Sequence, residues 1–275
     1  MILITGGSGQ LSTLVAQRAS KKGLKFLVGS RQAADGDGDA GRRRIDFDDP
    51  HSLDFSGVQT LLMVSAGYEE DDVVIARHGA VIAAAEHQGV RHIVYTSLTG
   101  AGDHLGFALA HRWTERRLQH SSFSWTILRN GLYAELIGTL AAPVNGVISA
   151  PFGSGRISSV ARNDLADAAM TVLSDPAAHA NVIYELVGTQ AWSIYQLAER
   201  LGVEYSPETQ SEARDRLSTP PLLPFQPAML MSIYSASAAG FLQDNNTDLL
   251  RLIEDDPRDT LQLAAATALA ASRQS

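Results

Sequence analysis

Residues 2–12 of this 275-residue chain, Ile-Leu-Ile-Thr-Gly-Gly-Ser-Gly-Gln-Leu-Ser, constrain the fold more than any other stretch. A short apolar run enters a glycine-rich turn, and a helix begins near Gln10. Only a backbone nearly free of Cβ atoms turns that tightly and still lets a pyrophosphate approach. The helix that follows directs its unpaired N–H groups and the positive end of its dipole at that phosphate. A glycine-rich turn alone is also found in plain loops. Here an apolar strand precedes it, an amphipathic helix over 14–22 follows, and a second strand comes at 25–29. That is the βαβ context of a dinucleotide site. Because the motif starts at residue 2, no signal or transit peptide is expected before it.

The first half keeps that alternation. Strands are expected at 44–47, 58–65, 90–97 and 124–129, with helices at 71–88 (stopped by Gly89) and 108–119 and a small helix at 51–55, capped by Asp49 or Pro50. The run 58–65 is almost continuously apolar, as in a strand buried on both faces of a parallel sheet. Beyond 130 the rhythm changes. Residues 131–146 read as short and irregular, 164–173 as a helix, 182–186 as a strand and 194–201 as a helix. Residues 219–227 are proline-rich and read as a loop, and the last fifty residues as alanine-rich helices. The expected fold is α/β: a Rossmann-type doubly wound parallel sheet with a small C-terminal α/β substrate lobe. One domain over 1–275 is expected, with a dinucleotide-binding core over roughly 1–130 and the lobe with its helices over 131–275.

Composition excludes several functions. The net charge of −8 gives no overall attraction to nucleic acid or an anionic membrane. Arg42-Arg43-Arg44 is the one basic run, and it reads as solvated loop surface. With no cysteine there is no disulfide, thiolate zinc site or thiol catalysis, and a reducing cytoplasm is the simplest location. The eight histidines are scattered, so no metal is expected. The apolar runs are too short or too interrupted to span a bilayer.

The cofactor can be read further. An NAD-preferring unit places a carboxylate at the end of its second strand. Here that end is Val28-Gly29-Ser30-Arg31, and Arg31 suits a bidentate contact with a 2′-phosphate. NADP is the favoured cofactor and NAD the alternative; a solvated Arg31 is the plainer reading. Asp46 and Phe47 are placed to flank the adenine, although Asp46 also suits the capping of a turn. Val64, Ser65 and Ala66 end the fourth strand, and Tyr95, Thr96 and Ser97 end the fifth, at the mouth of the expected crevice.

These segments resemble a known family. Thr5-Gly6-Gly7-Ser8-Gly9-Gln10-Leu11 resembles the opening TGATGQLG of NmrA-like atypical short-chain dehydrogenases. In order, residues 89–97 (GVRHIVYTS), 111–115 (HRWTE), 125–133 (WTILRNGLY), 162–166 (RNDLA) and 184–188 (YELVG) resemble further motifs of that group. The resemblance spans roughly 1–202 and points to the type 2 NAD(P)H:quinone oxidoreductases and triphenylmethane reductases. It implies cofactor contacts from Gly6, Gly7, Ser8, Gly9, Gln10, Leu11, Arg31, Asp46, Phe47, Val64, Ser65, Ala66, Thr96 and His111. Two departures stand out. Ser12 replaces the third glycine of the loop, with slight loosening expected. Phe107 and His111 stand where ordinary short-chain dehydrogenases carry Tyr-x-x-x-Lys, a departure shared with the quinone reductases.

Loss of that pair suits conjugated acceptors. A quinone takes hydride and leaves a stabilised anion, and a cationic triarylmethane dye needs no proton at all. His111 and Ser97 are the catalytic candidates; His111 would orient the nicotinamide ribose or give a proton, or is simply a buried helix histidine. Tyr68, Asn130 and Tyr133 are the candidates for the substrate side, and Phe225, Met229, Met231 and Tyr234 for an apolar cavity or ordinary core. The expected function is NAD(P)H-dependent hydride transfer to a quinone or related planar aromatic small molecule. The alternatives are an NAD(P)-binding redox sensor without turnover, or quinone reduction leading to oxygen-dependent hydroxylation of an aromatic natural product such as a polyketide. A homodimer or a helper protein would be the macromolecular partner.

Overall fold

The computed structural model describes residues 1–32, 41–66, 69–218 and 222–273. β1 (Ile2–Ile4) leads through the glycine turn into α1 (Gln10–Lys21) and then β2 (Phe26–Ser30) and β3 (Arg42–Arg44). β4 (Thr60–Val64), α2 (Asp71–His87), β5 (His92–Leu98), α3 (Ala108–Gln119) and β6 (Ser124–Asn130) complete the alternation. Then come α4 (Ala134–Leu140), β7 (Val147–Ile148), β8 (Arg156–Ile157), α5 (Arg162–Ser174) and β9 (Val182–Leu186). β10 (Trp192–Ser193), α6 (Ile194–Leu201), β11 (Glu204–Tyr205), α7 (Gln210–Leu217), α8 (Gln226–Ala238), α9 (Leu249–Leu252) and α10 (Thr260–Ser272) close the chain.

Seven parallel strands form one sheet in the order β3-β2-β1-β4-β5-β6-β9. From β1 the chain winds outward through β2 and β3, then returns to place β4 on the other side. That reversal opens a crevice outside the carboxyl ends of β1 and β4, where doubly wound sheets hold their ligands. α1, α5 and α9 cover one face through Leu11, Val15, Leu165 and Leu249. α2 and α3 cover the other through Val81, Ile82 and Leu118. Strands walled on both faces carry apolar residues at nearly every position, as in β4 (Thr-Leu-Leu-Met-Val). Two short strand pairs, antiparallel β10–β8 and parallel β11–β7, with α4, α6, α7, α8 and α10, enclose a third apolar cluster around Phe152, Tyr234 and Trp192. No helix among the described residues is long and apolar enough to cross a membrane.

Local chemistry sets the ends of the helices. Gly89 at φ +75° ends α2, and Asp71 and Asp72 oppose the positive end of its dipole. Capping boxes start α6 (Ser193 with Gln196) and α7 (Thr209 with Glu212).

Three sequence expectations change. Arg42–Arg44 is not loop surface but the edge strand β3, and residues 45–47 lie beyond it rather than in a strand. Two of its three arginines are anchored: Arg43 donates to the carbonyls of Asp54 (2.9 Å) and Ser56 (3.1 Å), and Arg44 to Asp49 (2.8 Å). Charge on an edge strand also discourages pairing with other chains. The small helix shrinks to a single 3₁₀ turn, Pro50–Ser52, because Leu53 and Phe55 fall into the core. Residues 131–146 contain α4, which is seven residues long and lacks a clear apolar period. It forms by packing on α10, where a Cβ at Gly138 would come within 2.3 Å of the Ala264 carbonyl oxygen.

Candidate active site

The glycine turn forms one end of the crevice. Gly6 takes φ +68°, which side chains resist, and the Gly7 N–H donates to the Gly29 carbonyl at 2.9 Å. A Cβ at Gly7 would lie 2.3 Å from Val28 Cγ1, so the turn excludes side chains. Ser12 does not loosen the helix against the strand. Its hydroxyl donates to the Thr5 carbonyl at 2.8 Å and ties α1 to the end of β1. Gly6, Gly7 and Ser8 line the crevice, whereas Gly9, Gln10 and Leu11 do not. Gly9 is the N-cap of α1, Gln10 is exposed, and Leu11 is buried beneath β1.

Along one side run Ser30, Arg31, Asp46, Phe47, Asp48 and Arg77. Arg31 is exposed and makes no hydrogen bond or ion pair among the described residues. Asp46 Oδ1 accepts the Asp48 N–H at 3.1 Å, the turn-capping role, while the residue also lines the crevice. Arg77 reaches across from α2 and grips the Asp48 carboxylate with two bonds of 2.6 and 2.7 Å. That clasp holds the Asp48 carboxyl below its ordinary range. Sequence reading missed it, because only the fold brings residues 48 and 77 together.

The floor is made where β4 and β5 end. The N–H groups there bond to side chains: Val64 to Thr5 Oγ1 (2.9 Å), Ser65 to Thr96 Oγ1 (3.0 Å) and Ala66 to His78 Nε2 (3.0 Å). Val64, Ser65, Ala66, Thr96 and Ser97 line the crevice above. The Ser97 hydroxyl gives its proton to Glu115 Oε1 at 2.6 Å. Glu115 is buried, and Arg112 (2.8 Å) and Arg129 (2.7 Å) pair with it; Arg129 also pairs with Glu185 (2.9 Å). Ser97 is therefore tied into an ion network behind the wall and offers the crevice only lone pairs.

His111 faces the crevice from α3, with its Nδ1 2.8 Å from the Tyr95 hydroxyl. Burial pushes its imidazole down to about 4, and neighbouring Arg112 adds to the effect. Near neutral pH it is an uncharged hydrogen-bonding group and not an acid. Phe107 lines the crevice one turn earlier, so no phenol replaces the missing tyrosine there.

The other end is apolar. Leu132, Leu136, Leu223, Met229, Leu230 and Ile233 wall it beside Asn130 and Tyr133. Of the four residues suggested for such a cavity, Met229 lies on the wall. Tyr234 is buried edge-on to Phe152 at 4.7 Å, and Phe225 and Met231 are off the wall. Arg162 lies over the Tyr133 ring, 4.6 Å from its centroid, and lines the same end. Asn130 Oδ1 is buried and has no hydrogen-bond partner among the described residues. Tyr68 lies outside the described residues. The two ends form one cavity of about 710 Å³.

Known proteins share this fold. The profile of the family described as NAD(P)H-binding matches residues 6–176. Quinone oxidoreductase 2 of Escherichia coli (strain K12) is 37% identical over 212 residues, 73% of this chain and 73% of its own length. This chain belongs to that NAD(P)H-binding family. It is an NmrA-like atypical short-chain dehydrogenase/reductase and an NAD(P)H-dependent oxidoreductase. The crystal structure of Citrobacter sp. triphenylmethane reductase complexed with NADP(H) superposes with a TM-score of 0.85 at 30% identity, covering 98% of this chain and 99% of the other. The E. coli NADPH-dependent quinone oxidoreductase complexed with NADPH superposes with a TM-score of 0.84 at 31% identity, covering 97% and 99%.

Proposed function

We propose that this chain uses NADPH to reduce a quinone or a related planar aromatic acceptor by hydride transfer. The observation that carries this reading is the single crevice of about 710 Å³ that joins a glycine turn to an apolar wall. The cofactor, when bound, supplies the hydride from its nicotinamide ring. The crevice suits it at both ends: the Gly6–Gly7 turn leaves no room for side chains, and the orphaned Asn130 Oδ1 is an acceptor for an amide N–H.

The backbone N–H groups of Gly6 and Ser8 would receive the pyrophosphate, while the Gly7 N–H stays on the Gly29 carbonyl and Gly9, Gln10 and Leu11 fix α1 behind the turn. Arg31, which makes no hydrogen bond or ion pair among the described residues, would take a 2′-phosphate. Asp46 and Phe47 would flank the adenine. Val64, Ser65, Ala66 and Thr96 would form the floor beneath the ribose and nicotinamide. His111 would donate a hydrogen bond to the ribose or to the acceptor oxygen. Ser97 would hold the wall through Glu115. Asn130, Tyr133 and the apolar residues of α8 would exclude water and align the acceptor ring with the nicotinamide. No acid stands at Phe107, so an acceptor whose reduced form is a stable anion, or one that needs no proton, fits best. The relatives named for quinones and for a triphenylmethane dye support the same class.

The lack of an acid also suits an NAD(P) sensor without turnover. NADPH consumption against naphthoquinones, anthraquinones and a triarylmethane dye, with oxygen uptake recorded, separates the readings. Saturable consumption is expected. Tight NADPH binding with no consumption across the panel would favour the sensor. Oxygen incorporated into the product would mark the hydroxylating variant.

A further inference from the structure

Tyr95 lies within β5, wholly buried in the apolar layer beneath α2 and α3 and outside the crevice lining. Its hydroxyl is 2.8 Å from His111 Nδ1. The other ring nitrogen, Nε2, makes no hydrogen bond among the described residues, and His111 itself lines the crevice. A proton inventory orients the pair. The Ala66 N–H donates to His78 Nε2 at 3.0 Å, so the His78 proton sits on Nδ1, 2.8 Å from Thr114 Oγ1. The Thr114 proton goes in turn to the Ala110 carbonyl at 2.7 Å. Thr114 therefore has no proton to offer the phenol, and the buried Ser65 hydroxyl, which also faces the phenol and has no other partner among the described residues, can give its proton to the phenol oxygen. Burial holds the Tyr95 phenol above the ordinary tyrosine range, so it keeps its own proton beside an imidazole nitrogen.

We propose that Tyr95 is a positioning residue: its hydroxyl donates to His111 Nδ1, fixes the imidazole as the Nε2–H form, and turns that N–H into the crevice. With Nε2 bare, His111 would be an acceptor there. With Nε2–H it is a donor suited to a ribose oxygen or to the oxygen that gains charge during reduction. The charged and titratable groups around the pair are Arg112 and Glu115 of α3 and His78 of α2. The inference rests on the reductase reading only for what the N–H meets.

Long-range ¹H–¹⁵N spectra of the labelled protein with NADP⁺ at pH 7, with the His111 signals assigned by their loss in His111→Asn, read the tautomer without any acceptor. The expected result is Nε2–H, and an Nδ1–H form would overturn the proposal whether or not a reducible acceptor is found. In Tyr95→Phe both tautomers are expected, with kcat lower by about tenfold and the NADPH KM near wild type. In a His111→Ala background the same change is expected to lower kcat by less than about twofold. Equal losses in the two backgrounds would mean that Tyr95 serves the fold alone, and would overturn the proposal as well.

Discussion

At the glycine end the crevice wall is mostly backbone: a turn closed by the Gly7–Gly29 hydrogen bond, with strand-end N–H groups held by Thr5 and Thr96. At the far end it is side chains: Leu132 and Leu136 near α4, and Met229, Leu230 and Ile233 of α8. The first end follows from sheet order and a short local motif, so any chain that builds β1, α1 and β2 in this order acquires it. The second depends on how segments almost a hundred residues apart converge, so related chains can alter it without disturbing the first. Cofactor recognition should therefore be robust here and acceptor choice adjustable.

The largest predicted effect ignores the division between the two ends. Glu115, buried behind the β5 end of the crevice, is shared by Arg112, Arg129 and Ser97. Glu115→Ala leaves two guanidinium groups without their common carboxylate and should cost about 4 kcal/mol in urea unfolding. A loss under about 1 kcal/mol would show that the network is not needed for stability.

Acidification comes next. Burial holds His78 at about 3 and His92 and His111 at about 4. Unfolded, each takes a proton near its ordinary value of about 6.5, which the native state refuses. The stabilising contribution is thus complete above that pH and is lost as pH falls toward 4. Between pH 7 and 5.5 the three together should lower stability by up to about 3.7 kcal/mol. A flat profile over that range would contradict the neutral, buried state of these rings.

The remaining substitutions separate the ends. Gly7→Ala, which pushes a Cβ to 2.3 Å from Val28 Cγ1, should weaken NADPH and NADH alike by about 2 kcal/mol in a fluorescence titration. Arg31→Ala should weaken NADPH roughly tenfold and leave NADH near wild type. Equal loss for both cofactors would remove the 2′-phosphate role. Met229→Ala should lower kcat/KM for the acceptor about fivefold with NADPH affinity unchanged. If NADPH affinity also fell, the apolar wall would belong to the cofactor site.

The same contrast explains what could be read from the sequence. The turn at Gly6 and the helix of α3 at Ala108–Gln119 stand where the sequence placed them, as do β9 and α6. These are set by local propensity, caps and apolar periodicity. β3 and α4 were not legible, because a three-residue edge strand of arginines and a seven-residue helix owe their form to distant partners. The Arg77–Asp48 clasp, the placement of Arg162 over Tyr133 and the withdrawal of Ser97 into the Glu115 network are likewise products of the fold. The His111 shift follows from burial, which residue type alone does not reveal.

The central claim is that one crevice holds the nicotinamide and a planar acceptor face to face. A crystal structure with NADP⁺ and an anthraquinone tests it most directly. The expected result is the aromatic ring between the nicotinamide and the wall of Met229, Leu230 and Ile233, with Asn130 and His111 at its edge. An acceptor bound elsewhere, or α8 packed directly onto the nicotinamide with no space between them, would contradict it.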